Sequence, residues 1–147
     1  MKKFYFSLSN VLTYKEQLLD NLKNEHAQLL QKLMEKEKQV ECLKEQEKEV
    51  GKQIAEMQKT GQTISFLYQM NLYLDSIEKK VDVELERLIA YRKEESKKKA
   101  ELIVAKQEYS SLEKLMEKKK AQYQAQVQKK EEQLIEEFVM NQRMILK

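Results

Sequence analysis

Proline and tryptophan are absent from the 147 residues, and glycine occurs only at Gly51 and Gly61. Proline breaks helix interiors and glycine weakens them, and the two supply most tight turns. A chain without them lacks the turns that a sheet protein or a many-helix globule needs. One cysteine, Cys42, excludes an internal disulfide and fits a reducing, cytosolic setting. No apolar run approaches the roughly 20 residues that span a bilayer. The opening Met1-Lys2-Lys3-Phe4-Tyr5-Phe6 is cut short by Ser7, Ser9 and Asn10 before it becomes a signal segment. Charge of one sign is also missing: 28 basic and 25 acidic residues leave a net +3 with the signs interleaved, so no nucleic-acid partner is implied. The runs Lys97-Lys98-Lys99 and Lys118-Lys119-Lys120 read as solvated helix faces.

What is present is Lys, Glu, Gln, Leu and Ala, the composition of long helices. A 41 % apolar share suits a narrow seam better than a thick core, so the length implies a rod. In the first half a 4,3 spacing visits Leu12, Lys15, Leu19, Leu22, His26, Leu29, Leu33, Lys36, Val40, Leu43, Glu47, Val50, Ile54 and Met57. The polar exceptions are Lys15, His26, Lys36 and Glu47. The second half continues through Leu67, Met70, Leu74, Ile77, Val81, Glu84, Leu88, Tyr91, Glu95, Lys98, Leu102, Ala105, Tyr109, Leu112, Met116, Lys119 and Tyr123. Glu94 to Lys99 is its weakest stretch. After Tyr123 the register slips by one residue and resumes at Val127, Leu134, Phe138 and Ile145.

The break lies at Gln58 to Ser65: Gly61 supplies the left-handed residue that ends a helix, and Thr63 or Ser65 caps the next. Ser7 or Ser9 caps the first. Gly51, amid strong helix formers, stays helical. The spacing therefore predicts an all-α fold, a single coiled-coil domain over 1–147. Helix one covers about 8–58, the turn about 59–64 and helix two about 65–143, paired as an antiparallel hairpin. A turn near Gly61 puts residue i opposite about residue 122 − i. Helix one is then about 75 Å long and helix two about 120 Å. Helix two overhangs at its C-terminal end by about 25 to 30 residues, which carry Val127, Leu134, Ile135, Phe138, Val139, Met140, Met144, Ile145 and Leu146. Such an apolar, unpaired helix binds a partner or frays.

Catalytic chemistry finds no foothold. One histidine and one cysteine, more than four turns apart, make neither a metal site nor a nucleophile set, and no glycine-rich loop cradles a phosphate. The chain is expected to be no enzyme and to need no cofactor.

Two places exceed what a seam requires. In Phe66 to Leu74, the residues Leu67, Met70 and Leu74 fill the seam, while Phe66, Tyr68, Leu72 and Tyr73 point elsewhere. They form a docking patch at the hairpin tip or local packing over the turn; both readings stand. At the two-terminus end, Phe4, Tyr5, Phe6, Leu8, Val11 and Leu12 meet Leu112, Leu115 and Met116. Leu8, Val11 and Leu12 suit a knot that clamps the open end; Phe4 to Phe6 and the tail suit a partner.

The opening Phe4-Tyr5-Phe6-Ser7-Leu8-Ser9-Asn10-Val11-Leu12-Thr13-Tyr14-Lys15-Glu16 resembles that of the FliJ family, soluble components of the flagellar type III export apparatus. The Tyr68…Tyr73-Leu74…Ile77 run is similar to the family's start of helix two. The run from Leu112 to Lys119, with Tyr123 and Glu136-Glu137-Phe138, resembles its C-terminal region, except that Phe138 stands where the family has a small residue. The resemblance implies a cytoplasmic stalk, peripheral at the membrane, that inserts into a hexameric export ATPase and links it to the membrane export gate and export chaperones. It implies that Phe4, Phe6, Leu8, Val11, Leu12 and Phe138 face the ATPase, and that Phe66, Tyr68, Leu72, Tyr73 and Ile77 face the gate. Competing readings are the stalk of a virulence-type secretion system, a tether self-associating through a helix straight across Gly61, and a membrane-surface binder. For the last, Lys2 and Lys3 alone attract too weakly.

Overall fold

The computed structural model describes residues 2–146. Two helices make up the fold, α1 over Ser9–Thr60 and α2 over Ile64–Leu146, and no strand occurs among the described residues. The expected all-α, antiparallel pair of helices is what the structure holds. The tether with a helix straight through Gly61 is overturned. Gly61 takes a φ of 82°, its amide donates to the Met57 carbonyl at 3.0 Å, and α1 stops at Thr60. Thr63 caps α2, its Oγ1 accepting from the Phe66 amide at 3.3 Å, while Ser65 is already helical. At the start of α1 neither Ser7 nor Ser9 holds the cap position. The carbonyl of Leu8 accepts from the Leu12 amide at 2.9 Å, and Ser9 lies inside the first turn.

The residues fall into two compact units. The first is Leu22–Leu102. Here every seam residue predicted by the 4,3 spacing is buried or half-buried, and of the rest only Gly51 and Leu85 share that burial. Val50, Ile54, Ile77 and Val81 form its core, flanked by Leu43, Met70, Leu74 and Leu85. Five of the polar seam residues, His26, Lys36, Glu84, Glu95 and Lys98, are paired across the helices. Lys36 Nζ donates to Glu84 Oε2 at 2.5 Å, His26 Nε2 lies 3.0 Å from Glu95 Oε1, and Lys98 Nζ donates to Glu25 Oε2 at 2.7 Å. Half-buried polar pairs on a seam contribute little net stability but penalise any register that separates them. These three therefore hold the two helices in register.

The hydrogen bond from Lys36 holds the Glu84 carboxyl below its ordinary value, against the opposing effect of burial. A carboxyl depressed in the folded state contributes stability above its unfolded value, and that contribution is lost as pH falls through the folded value. Glu84→Gln is therefore expected to lower the thermal midpoint at pH 7, and the gap to the parent should close in acid. Circular-dichroism melts from pH 7 to pH 3 check this; a gap of constant size would contradict it. Lys98 runs the other way: its hydrogen bond to Glu25 raises its value, so its contribution is present below the ordinary lysine range and lost as pH rises through the raised value.

The two glycines separate cleanly by geometry. A Cβ on helical Gly51 meets no heavy atom within 4 Å. Gly51→Ala is expected to stabilise the fold by about 1 kcal/mol through helix propensity. Gly61→Ala is expected to cost about 1 kcal/mol, because its backbone is left-handed. Urea unfolding of both variants reads the two signs.

The second unit joins the residues up to Asn21 with those from Ile103 onward. Leu19 and Ala105 are buried in it, and Lys15 Nζ donates to Glu108 Oε2 at 2.7 Å. Tyr109 is also half-buried on this seam, and desolvation, with Glu16, Glu113 and Asp20 nearby, pushes its hydroxyl up. Lys119, placed on the seam by spacing, is exposed. Its neighbour is the non-helical segment 2–8, which lays no helical ridge across it.

Candidate partner-binding surfaces

In the unit Leu22–Leu102, the five tip candidates fall into three environments. Ile77 is the most deeply buried side chain described, 2 % exposed, and belongs to the core with Val50, Ile54 and Val81. It can reach no partner while the helices stay together, so its place among the docking candidates is corrected to a supporting one. Tyr68 and Leu72 are exposed and four residues apart, on the outer face of α2 in line with exposed Ile64. Phe66 and Tyr73 border the seam on the other flank, and the Tyr73 hydroxyl accepts from Gln46 Nε2 at 2.9 Å. The tip therefore offers an outward stripe, Ile64-Tyr68-Leu72, and a partly engaged flank, Phe66 and Tyr73. The sequence reading missed Ile64, although its i, i+4, i+8 spacing with Tyr68 and Leu72 marks it.

In the other unit the N-terminal segment behaves differently from the expected division. Residues 2–8 lie along α2 and line a groove together with Leu115, Lys119, Gln122, Tyr123 and Gln126. Phe6 is buried at 6 % exposure, and its carbonyl accepts from the Ser9 amide at 3.1 Å. Phe4 packs its ring on Tyr123 with centroids 5.6 Å apart, and the Tyr123 hydroxyl donates to the Lys2 carbonyl. Phe6 therefore holds the segment against α2. Leu12 is half-buried on the seam, whereas Leu8 and Val11 stay exposed beside exposed Leu115.

The groove reaches Gln126 on α2, and Val127 beside it is half-buried. From 128 to 146 every described residue is exposed. At 100° per residue, Leu134, Phe138 and Ile145 form one stripe, with Ile135, Val139 and Leu146 directly beside it. Together they make a broad apolar face on a helix that is exposed all round.

Among the described residues no group of three or more His, Cys, Asp or Glu is placed to hold a metal ion, and Cys42 is an exposed free thiol. No described helix is long and apolar enough to cross a membrane. A family model described as flagellar FliJ protein matches residues 4–144. No curated protein and no solved structure matches the chain.

Proposed function

The chain belongs to the FliJ family of flagellar export components, which are not catalytic, and on that premise we propose that it is the central-stalk adaptor of the export apparatus. In this role it binds the hexameric export ATPase and promotes its action. It also links the ATPase to the membrane export gate and to export chaperones, from a cytoplasmic position at the membrane face. The observation that carries the reading is the exposed apolar face of α2 over 128–146, nineteen residues of helix that the chain leaves uncovered.

We assign the ATPase to Phe138 and its stripe, with Leu8 and Val11; Phe4, Phe6 and Leu12 act indirectly by fixing the N-terminal segment. We assign the gate to the outward stripe of Tyr68 and Leu72 and to the flank of Phe66 and Tyr73, with Ile77 supporting both from beneath. Size-exclusion chromatography with light scattering, run on the purified export ATPase with and without this chain, tests the first assignment. A stable complex supports it. Separate elution at micromolar concentrations of both proteins contradicts it.

A further inference from the structure

The groove between the N-terminal segment and α2 has a charge pattern that the sequence hides. Read linearly, Lys118-Lys119-Lys120 and Lys129-Lys130 are interleaved with Glu117, Glu131 and Glu132. Wound at about 100° per residue, they separate. Leu115, Lys119, Gln122 and Gln126 line the groove and define one side of α2. Within about 70° of that side lie Lys118, Lys119, Lys129 and Lys130, with Gln122, Gln126 and Gln133 between them. The three glutamates lie about 100° or more away from it. Glu136 and Glu137 close the face at its C-terminal end. The folded N-terminal segment then adds Lys2 and Lys3 to the same groove, held there by Tyr123, by Phe4 and by buried Phe6. Beside them Tyr5 stands 77 % exposed.

We propose that this face of α2 and the N-terminal segment, carrying Lys2, Lys3, Lys118, Lys119, Lys129 and Lys130 around exposed Tyr5, is a docking surface for an acidic lipid bilayer. The complementarity is of charge: four lysines and no glutamate lie on this face of α2 between Lys118 and Lys130, about three and a half turns of helix, and Lys2 and Lys3 bring the cations to six. Every one of these cations is lysine and none is arginine. Lysine is a hydrated point charge on a flexible stem, suited to a diffuse anionic surface. Arginine is the residue of directional, bidentate pairing with a protein carboxylate or a fixed phosphate. An exposed tyrosine among lysines suits the headgroup region, which takes an aromatic body and a polar tip. Two lysines attract too weakly to hold a protein on a membrane, and the fold raises the number to six. Each lysine near an acidic surface raises partitioning about fivefold. The surface does not depend on the ATPase or gate assignments.

The test is vesicle flotation with the full chain. Vesicles of phosphatidylcholine alone are compared with vesicles containing about one third phosphatidylglycerol, near 0.1 M salt, where screening reaches about 10 Å, and again at high salt. Binding is expected to the acidic vesicles only, and to fall at high salt. Replacing Lys118, Lys119, Lys129 and Lys130 by Gln is expected to weaken it at least tenfold. All four are exposed on a helix, so the fold should survive. The same charge loss elsewhere, with Gln at exposed Lys23, Lys32, Lys44 and Lys48, should change binding less than twofold. Tyr5→Ser should weaken binding several-fold without altering its salt dependence. The proposal is overturned if acidic vesicles do not bind, or if both lysine quadruples lose binding equally. It is also overturned if polyglutamate at matched charge displaces the vesicles as well as excess acidic vesicles do, since the partner is then an acidic polypeptide.

Discussion

Ile77→Ala is expected to lower the unfolding free energy by about 3 kcal/mol, the largest loss of any single side-chain truncation in α2. Removing a buried isoleucine to alanine costs about 2 to 5 kcal/mol, part transfer and part cavity. Ile77 is 2 % exposed and is held by Val50, Ile54 and Val81, so the site has little freedom to collapse. Alanine's better helix propensity returns only a few tenths of a kcal/mol. Leu72→Ala, on the outward stripe of the same helix, is expected to change stability by less than about 0.5 kcal/mol. Urea unfolding of the two variants therefore separates the residue that supports the tip from those that face outward. Equal losses in the two would mean that Leu72 is packed as Ile77 is, and the division of the tip would fail. The contrast matters for any binding study at the tip, because an Ile77 variant that stops binding has first lost its fold.

The second large effect is on binding rather than stability. Leu134→Ser, Phe138→Ser and Ile145→Ser together are expected to weaken the complex with the export ATPase at least a hundredfold. They should leave the melting midpoint of the free chain within error. The three form one stripe of an exposed helix, so their removal opens no cavity. Central apolar anchors in an interface commonly contribute about 2 kcal/mol or more each, and three of them exceed a hundredfold even with imperfect additivity. Isothermal titration on the variant and the parent reads the difference. An unchanged affinity would move the ATPase contact away from this face, and a lowered melting midpoint would mean the stripe is packed in the free chain.

Most of the fold was legible in the sequence because a coiled coil is nearly one-dimensional. One 4,3 spacing and one glycine determine both the buried face and the partner of each residue. Gly61 reads correctly as the turn, since no other residue between Gln58 and Ser65 takes a positive φ at so little cost. The facing relation of i with 122 − i reaches further than composition suggests. It sets Lys36 opposite about residue 86 and His26 opposite about residue 96, and the structure pairs them with Glu84 and Glu95. Polar seam residues that look like tolerated defects one helix at a time are partners when both helices are read together.

The N-terminal end was not legible in the same way. Helical periodicity says nothing about residues 2–8, which are not helical, so it could not show that Phe6 is buried and Leu8 is not. The burial of Phe6 depends on an extended segment reaching a groove beside Tyr123, more than a hundred residues away in sequence. Lys119 departs from the seam for the same reason. The tip candidates show a related limit: composition gathers Phe66, Tyr68, Leu72, Tyr73 and Ile77 into one patch, and only the helical angle divides them into core, flank and outward stripe.

The most direct test of the stalk reading is ATP hydrolysis by the purified flagellar export ATPase while the full chain is titrated in, alongside the chain with serine at Leu134, Phe138 and Ile145. The account predicts that the full chain stimulates hydrolysis to a saturating level and that the triple variant, equally folded, does not. A rate unchanged by the full chain, or raised equally by both, would contradict it.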